Sequence, residues 1–335
     1  MNVFLTFDIE VWCNGWDNLD KEFPGAFERY IYGRSKHGDY ALPKTLAILN
    51  QNGLKGVFFV EPLFATRFGS KYLETVVQLI RAAGQEIQLH LHPEWTDEAI
   101  HPLIDNCAKK RQHLTYYTLE EQTTLIGHGK RMLEAAGSGP ITAFRSGSYA
   151  ANSDTFEALR RNGIYLDSSL NRCFAVSAPD LRSEHMFDRV FSVQNVVTYP
   201  VTVFKDGFGK LRPAQVGACG FNELRDASQS AERAGVADFV IVSHNFEMLT
   251  PDSSQPDWIV VARFERLCAY LAQHSQQFKV GGFNADCSQL PSDEFARPVV
   301  YATRYSTLTR YWEQFRRRIK VFTRKPRSRI LDVSP

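Results

Sequence analysis

The chain has 335 residues, of which 44% are hydrophobic and 13% aromatic, enough to bury a large core. Its net charge is +2, and it contains no apolar stretch of the roughly 18 residues that a transmembrane helix needs. The six cysteines are scattered without a C-x-x-C pair, which argues against a disulfide framework and against a cysteine zinc site.

Charge is distributed unevenly along the chain. Residues 301–335 hold ten Lys or Arg and two acidic residues, a balance of +8, so the preceding 300 residues carry −6. The body lacks the broad basic surface of a nucleic-acid-binding protein, and we expect no nucleic-acid binding. The N-terminus does not resemble a signal peptide, and on this basis we expect a cytoplasmic location.

Short apolar runs alternate with segments of helical periodicity. In chain order the predicted elements are strand Asn2–Ile9, helix Pro43–Asn52, strand Gly56–Val60, helix Lys71–Ala83, strand Glu86–Leu91, helix Leu119–Ala136, strand Ile141–Phe144, helix Ser153–Asn162, a short strand from Leu166, strands Val196–Phe204 and Asp238–Ser243, helix Trp258–Gln273 and strand Lys279–Phe283. This alternation predicts a parallel α/β fold. About seven units favour an incomplete (β/α)7-type barrel over a doubly wound sheet.

Reactive groups of parallel barrels lie at the carboxyl ends of the strands, so the polar residues that follow each apolar run are the candidates for chemistry. The first strand ends with Asp8 and Glu10, which share one side because they are two residues apart. Converging carboxylates repel each other, and a metal ion or a shared proton relieves the repulsion. A pair of solvated acids at a loop start is the alternative interpretation.

The third strand ends in a histidine pair. His90 and His92 share one face, and Glu94 is a candidate third ligand. Two imidazoles at positions i and i+2 are common metal ligands. Buried structural histidines are the alternative, but two of them together at a strand end favour a metal site.

Later strand ends carry Arg145, Asp167 and His244. An arginine that emerges from a core strand needs an anion, for which Asp8 is a candidate, and the small residues after Arg145 allow backbone N–H groups to approach a substrate oxygen. A structural ion pair followed by a turn is the alternative. His244 is a candidate general acid that Asp167 would orient or charge. It is the joint placement of these residues at successive strand ends that indicates a functional site.

This order of acid pair, histidine cluster, arginine loop, aspartate and histidine resembles the NodB-homology polysaccharide deacetylases, carbohydrate esterase family 4, from about Asn2 to Phe283. The family's fold is a distorted, incomplete (β/α) barrel. We therefore divide the chain into a barrel at residues 1–295 and a basic tail at residues 296–335. The resemblance implies metal-dependent removal of an N-acyl group, acetyl first, from an amino sugar.

Carried over to this chain, the resemblance makes Asp8 the catalytic base and Glu10 a metal ligand. The family's second motif holds two histidines four residues apart, whereas this chain offers His90 with Glu94 in one alignment and His92 in the other. The implied ligands are Glu10, His90 and either His92 or Glu94. Zn²⁺ is the expected metal, with Co²⁺, Fe²⁺ or Mn²⁺ as alternatives.

The family's third motif, usually R-x-P-Y-G, is matched at Arg145 alone, since Gly147 replaces the proline. The resemblance implies that Arg145 steadies the base and that the Ser148 N–H helps to stabilise an oxyanion. Asp167 and His244 resemble the acid and the histidine of the fourth and fifth motifs. The implied mechanism is attack of a metal-activated water on the amide, with protonated His244 donating to the leaving amine.

The implied partner is an N-acetylated sugar or glycan, with lipid-linked and nucleotide-linked precursors among the candidates. Trp12, Trp16, Trp95 and Tyr149 lie near strand ends, where their rings would either stack on sugar rings or pack inside the protein. A deformylase or other amide hydrolase on the same scaffold is an alternative function. A catalytically inactive carbohydrate-binding member of the family is another.

The C-terminal segment predicts a basic amphipathic helix. Its apolar residues recur at helical spacing at Leu308, Trp312, Phe315, Ile319 and Phe322. Around them lie the basic residues Arg310, Arg316, Arg317, Arg318, Lys320, Arg324 and Lys325. One interpretation is peripheral contact with an anionic membrane surface, and the other is that the apolar stripe docks on the barrel.

Overall fold

The computed structural model describes residues 1–105, 107, 109–174, 180, 189–283 and 300–322. Its strands are β1 (Asn2–Ile9), β2 (Arg34–Ser35), β3 (Gly38–Asp39), β4 (Gly56–Val60), β5 (Glu86–Leu91), β6 (Ala143–Ser146), β7 (Leu166–Asp167), β8 (Phe191–Val193), β9 (Val196–Thr198), β10 (Val203–Lys205), β11 (Leu211–Pro213), β12 (Asp238–His244) and β13 (Lys279–Val280). Its α-helices are α1 (Leu19–Phe27), α2 (Leu42–Gln51), α3 (Ala65–Phe68), α4 (Ser70–Ala82), α5 (Leu119–Ala135), α6 (Ser153–Arg161), α7 (Phe221–Arg233), α8 (Trp258–Gln273) and α9 (Arg304–Phe322). None of the described helices combines the length and apolar character that crossing a membrane requires.

The central sheet has nine strands and confirms the predicted incomplete (β/α) barrel. Seven strands are parallel in the order β12-β1-β4-β5-β6-β7-β9, with β8 antiparallel to β9 at the edge and β13 beside the start of β1. The hydrogen-bonded order of strands begins at β12 and ends at β8. All carboxyl ends of the parallel strands therefore meet at one rim, where the candidate residues were expected.

The outer edge of β12 is covered by the chain on either side of the β10–β11 hairpin. Thr202 donates its N–H to the Val240 carbonyl, and Val242 donates to the Ala214 carbonyl. The predicted strand Val196–Phe204 is thus divided, since its first part pairs with β7 and its last part turns into the hairpin. A parallel sheet covered on both faces explains why β1 and β4 are almost uniformly apolar and buried.

The two longer α-helices that were not predicted from the sequence are α1 and α7. Helix α1 contains Pro24 and Gly25, which usually interrupt helices, yet it buries Leu19, Phe23 and Phe27. Helix α7 buries several small and polar residues, so its inward face does not stand out as an apolar stripe. Tertiary packing rather than local pattern stabilises both helices.

Helix α9 confirms the predicted C-terminal helix, but it packs on the body through its polar face. Arg310 is 2% exposed and lies 2.8 Å from Glu223 and 3.4 Å from Asp206. Ser306 and Thr303 donate to the carboxylate of Asp226. The interpretation in which the apolar stripe docks on the barrel is therefore wrong.

The stripe itself faces outward. Leu308, Trp312, Phe315 and Ile319 are 55%, 61%, 54% and 45% exposed. The side chains predicted to continue it, Phe322 with Arg318, Lys320, Arg324 and Lys325, lie outside the described part of the chain, as do residues 296–299.

Replacing Arg310 with methionine should leave the carboxylates of Glu223 and Asp206 buried without a counter-charge. We expect a loss of about 3–5 kcal/mol in the free energy of unfolding, as for other broken buried ion pairs. Urea denaturation measures it, with Arg160→Met as the control because Arg160 pairs with Glu157 at the surface, where such a pair contributes about 0.2–1 kcal/mol. Equal losses in the two variants would contradict the buried role of Arg310.

Candidate active site

The register of four strands assembles the site. Asp8 of β1 lies opposite His244 of β12, and His90 of β5 lies opposite Arg145 of β6. Because β12, β1, β4, β5 and β6 are consecutive in the sheet, these strand ends face one shared space. The structure thus brings together Asp8, Glu10, His90, His92, Arg145 and His244, all of them predicted from sequence.

Three buried side chains form a metal-type cluster. His90 Nε2 lies 2.9 Å and His92 Nε2 lies 3.0 Å from the same oxygen, Glu10 Oε1. One ligand atom from each residue lies within 4.8 Å of the others. Asp8, Glu10 and His244 form a second group within the same limit, but only the first directs two imidazole nitrogens at one carboxylate oxygen.

Hydrogen bonding determines which nitrogen of His90 faces the cluster as a ligand. His90 Nδ1 lies 2.7 Å from the backbone carbonyl of Arg145, which can only accept, so Nδ1 carries the hydrogen. Neutral His90 then presents the lone pair of Nε2 to a carboxylate oxygen. Two acceptors this close require a cation between them, either a proton or a metal ion. The donor set of two imidazoles and one carboxylate suits Zn²⁺.

Glu94 lies on the opposite side of His92. Its Oε2 is 3.2 Å from His92 Nδ1, whereas His92 Nε2 faces Glu10. The structure therefore selects His92 rather than Glu94 as the third candidate ligand. Glu94 instead orients the ring, as carboxylates commonly do for metal-binding histidines.

The cluster is strongly polarised. Burial alone would raise the pKa of Glu10, but the charge of His92 and hydrogen bonds from both histidines hold that pKa well below its usual range. Burial alone would lower the pKa of His92, but Glu10 and Glu94 raise it well above its usual range. An ionised carboxylate with a positive charge beside it is thus the favoured state.

Two residues that sequence analysis missed hold Glu10 in place. Asn245, fully buried after β12, accepts from the Glu10 N–H at 3.2 Å and donates to the Glu10 carbonyl at 3.0 Å. Trp12 donates its indole N–H to Glu10 Oε2 at 2.7 Å and packs edge-on against His92. The sequence offered one indication of Asn245, namely that a polar residue directly follows His244. Trp12 was predicted as a ring that stacks on a sugar or packs inside the protein, and not as a hydrogen-bond donor.

Gly147 is needed because the His92 ring lies against it. A Cβ at this position would come within 2.7 Å of His92 Cε1 and Nδ1. The absence of a side chain in the arginine loop thus makes room for the histidine two residues after His90.

A further buried acid, Glu61, follows β4 and was not identified from sequence. Burial raises its pKa to about 8, although N–H groups of Leu63 and Phe64 donate to its carboxylate. The raised pKa favours the neutral carboxyl group, which reduces the negative charge beside His92 and Glu94.

Arg145 steadies Asp8, as expected. The guanidinium is fully buried, donates to Asp8 Oδ1 at 2.7 Å and to Thr6 Oγ1 at 2.9 Å, and lies over the Phe59 ring. The carbonyl and hydroxyl of Ser168 accept its remaining hydrogen bonds. Asp8 Oδ2 remains directed toward His244, at 3.9 Å from Nε2.

The carboxylate that charges His244 is Glu247, not Asp167. Glu247 Oε1 lies 2.9 Å from His244 Nδ1 and is itself held by Gln215 and by the Gly217 N–H. Burial lowers the pKa of His244, but Glu247 and the acids of the site raise it to about 9. Asp167 instead accepts hydrogen bonds from Ser169 and Thr198, so the expectation that it orients His244 is wrong.

The remaining predicted residues are Ser148, Tyr149 and Trp95, which differ in backbone conformation and exposure. Ser148 and Tyr149 follow Arg145 with left-handed backbone, φ 54° and 57°, a strained conformation that is frequent at functional sites. Tyr149 is 8% exposed, and burial raises the pKa of its hydroxyl. Trp95 is 2% exposed and packs on Trp16, so it cannot stack on a sugar ring.

A cavity of about 370 Å³ is lined in part by Trp12, which donates to Glu10, and by Glu247, which accepts from His244. Trp12, Tyr30 and Phe246 supply aromatic walls, while Gln215 and Glu247 supply polar atoms. Aromatic faces with a few polar groups are suited to a sugar ring, and Trp12 and Glu247 connect this cavity to the candidate metal cluster and the candidate acid.

Comparison with known proteins supports the fold. A protein from Mycobacterium smegmatis assigned as a polysaccharide deacetylase has a TM-score of 0.56 and 16% identity, over 89% of this chain and 94% of that one. A 4-alpha-glucanotransferase from Thermococcus litoralis has a TM-score of 0.52 and 10% identity, over 96% of this chain and 46% of that one. A family 4 carbohydrate esterase from Streptomyces lividans has a TM-score of 0.41 and 15% identity, over 90% and 97%.

No family model matches the chain, and no curated protein matches its sequence. The likeness inferred from the motifs is confirmed at the level of fold, as a distorted, incomplete barrel of the NodB type. A protein assigned as a polysaccharide deacetylase and a glucanotransferase share this architecture, so the architecture alone does not determine the function.

Gly147→Ala should push the His92 ring away from Glu10 and weaken metal binding. Disturbing a residue that positions a ligand typically costs about 10–100-fold in affinity. Competition titration with a chromogenic Zn²⁺ chelator measures the affinity, and Gly25→Ala is the control because a Cβ there contacts nothing. Unchanged Zn²⁺ affinity in Gly147→Ala would contradict the placement of His92 in the cluster.

Proposed function

We propose that the protein is a metal-dependent N-deacetylase of an amino sugar in a glycan or glycan precursor. The supporting observation is the convergence of two imidazole nitrogens on Glu10 Oε1. The Arg145-held Asp8 and the Glu247-held His244 lie beside this cluster, with Asp8 Oδ2 3.9 Å from His244 Nε2. A candidate base and a candidate acid thus lie next to a candidate metal site, an arrangement suited to amide hydrolysis.

Glu10, His90 and His92 would hold the metal, and Zn²⁺ suits these donors. When bound, a divalent cation polarises the amide carbonyl and lowers the pKa of nearby water. Asp8 is the proposed base because Arg145 holds its Oδ1 and leaves Oδ2 directed into the site. Asp8 takes a proton from the attacking water as its oxygen bonds to the amide carbon.

His244 is the proposed acid. Its pKa of about 9 keeps the ring protonated at neutral pH, and Glu247 accepts from Nδ1, so the Nε2 hydrogen faces the site. His244 gives this proton to the nitrogen as the carbon–nitrogen bond breaks, which releases acetate and a free amino sugar. We propose the backbone N–H of Ser148, in its left-handed turn, as the donor that stabilises the tetrahedral oxyanion.

Metal analysis and acetate release together test the function. Protein purified without chelator or a metal-affinity tag should hold near-stoichiometric Zn²⁺ or a similar metal, and His90→Ala should lose it. Asp8→Asn should keep the metal but reduce acetate release from N-acetylglucosamine oligomers by about 10²–10⁴-fold, the usual contribution of a general base. Lys71→Glu, at the exposed surface, is the control.

The possible outcomes discriminate between functions. If the protein holds metal and releases formate from N-formyl sugars but no acetate, the proposed function changes from deacetylase to deformylase. Absence of metal after addition of Zn²⁺ or Co²⁺, with sugar binding retained, would replace it by a carbohydrate-binding protein.

The rate should fall as pH rises through about 9, because His244 loses the proton that the leaving amine needs. Glu247→Gln removes the hydrogen-bonded carboxylate that raises this pKa, so the alkaline limb should move to lower pH by on the order of one unit. The pH profile of kcat/KM measures the shift. Glu157→Gln, which changes a surface carboxylate, is the control, and an unmoved limb in Glu247→Gln would argue against His244 as the acid.

A further inference from the structure

Helix α9 and the turn between β10 and β11 present one apolar surface to solvent, here called the aromatic platform. Its members are Phe208, Tyr305, Leu308, Tyr311, Trp312 and Phe315, each between 44% and 69% exposed. Phe208 stacks on Tyr311 with ring centroids 6.2 Å apart, and Trp312 stacks on Phe315 at 5.8 Å. Exposed apolar surface this concentrated typically marks an interaction site.

The platform is held rigidly by polar contacts beneath it. Gly207 donates its N–H to Thr307 Oγ1, and a Cβ on Gly207 would lie 2.3 Å from the Arg304 backbone. Arg310 is buried against Glu223 and Asp206, and Arg317 donates to Asp257 at 2.6 Å. Two segments about 100 residues apart therefore hold their apolar side chains in one fixed surface.

Positive charge surrounds the platform. Lys205 and Lys210 flank Phe208, and Arg304 and Arg316 lie on the exposed side of α9. Residues 301–335 carry +8 in total. Arg310 and Arg317 are paired with acids of the body, so among the described residues the positive charge beside the platform comes from the four exposed residues named above.

We propose that the aromatic platform binds the headgroup region of an anionic lipid bilayer. Aromatic and leucine side chains that project beside lysines and arginines suit that interface, where apolar groups enter the acyl boundary and basic groups meet anionic headgroups. A second copy of the chain fits less well, because pairing two platforms would bring like charges together. This inference does not depend on the deacetylase proposal.

Flotation of the full-length protein with phosphatidylglycerol–phosphatidylcholine vesicles tests the apolar part of the proposal. The wild type should float with these vesicles and not with phosphatidylcholine alone. Trp312→Ser and Phe208→Ser should each reduce partitioning by about tenfold, as expected when one aromatic ring no longer enters the bilayer. Tyr165→Ser, at an exposed tyrosine before β7, is the control, and urea unfolding verifies that all variants fold.

The charge part is tested by the double variant Lys205→Glu/Lys210→Glu. Each basic residue near an anionic surface contributes roughly fivefold to partitioning, so this reversal should abolish flotation, whereas Lys36→Glu/Lys71→Glu should not. Salt at about 1 M, where the Debye length is roughly 3 Å, should release the wild type. Absence of wild-type flotation, or equal flotation of platform and control variants, overturns the proposal. Dimers in light scattering that Trp312→Ser dissociates would also overturn it, in favour of a second copy as the occupant.

Discussion

One buried residue, Arg145, connects the two halves of the candidate site. Arg145 donates to the carboxylate of Asp8 through its side chain, and it accepts from His90 Nδ1 through its backbone carbonyl. Any shift of β6 relative to β1 or β5 would leave a buried charge unpaired and turn an imidazole away from the cluster, both of which are costly. The orientation of the proposed base and that of a proposed metal ligand are therefore coupled through a single residue.

Two differences between this chain and the motifs that its sequence resembles explain each other. The second candidate histidine stands two residues after His90 instead of four, which brings its ring over the arginine loop. Gly147, where the family usually has proline, leaves room for that ring, with a hypothetical Cβ only 2.7 Å away. Glu94, which takes the place of the expected second histidine in one alignment, contacts His92 Nδ1 from behind. The changes thus rearrange the cluster without removing a nitrogen donor from it.

The sequence was sufficient to identify candidate residues that lie at the end of a predicted strand. The strands that carry Asp8 and His90 were predicted with the observed bounds, because a parallel sheet buried on both faces requires continuous apolar runs that end in polar residues. Residues that act from a loop were missed or misassigned. Glu247 reaches His244 through a turn, and Asn245 bonds to Glu10 from the turn after β12, 235 residues along the chain. No local sequence pattern predicts either contact.

Amphipathicity alone did not determine how α9 is oriented. The pattern defines an apolar and a polar face, but it does not say which of the two packs against the body. The acids of the body decide it. Asp206, Glu223 and Asp257 pair with arginines of α9, and buried polar contacts of this kind form only when both partners come to the same interface. The apolar face is consequently left exposed to solvent, which makes it available to the proposed lipid surface.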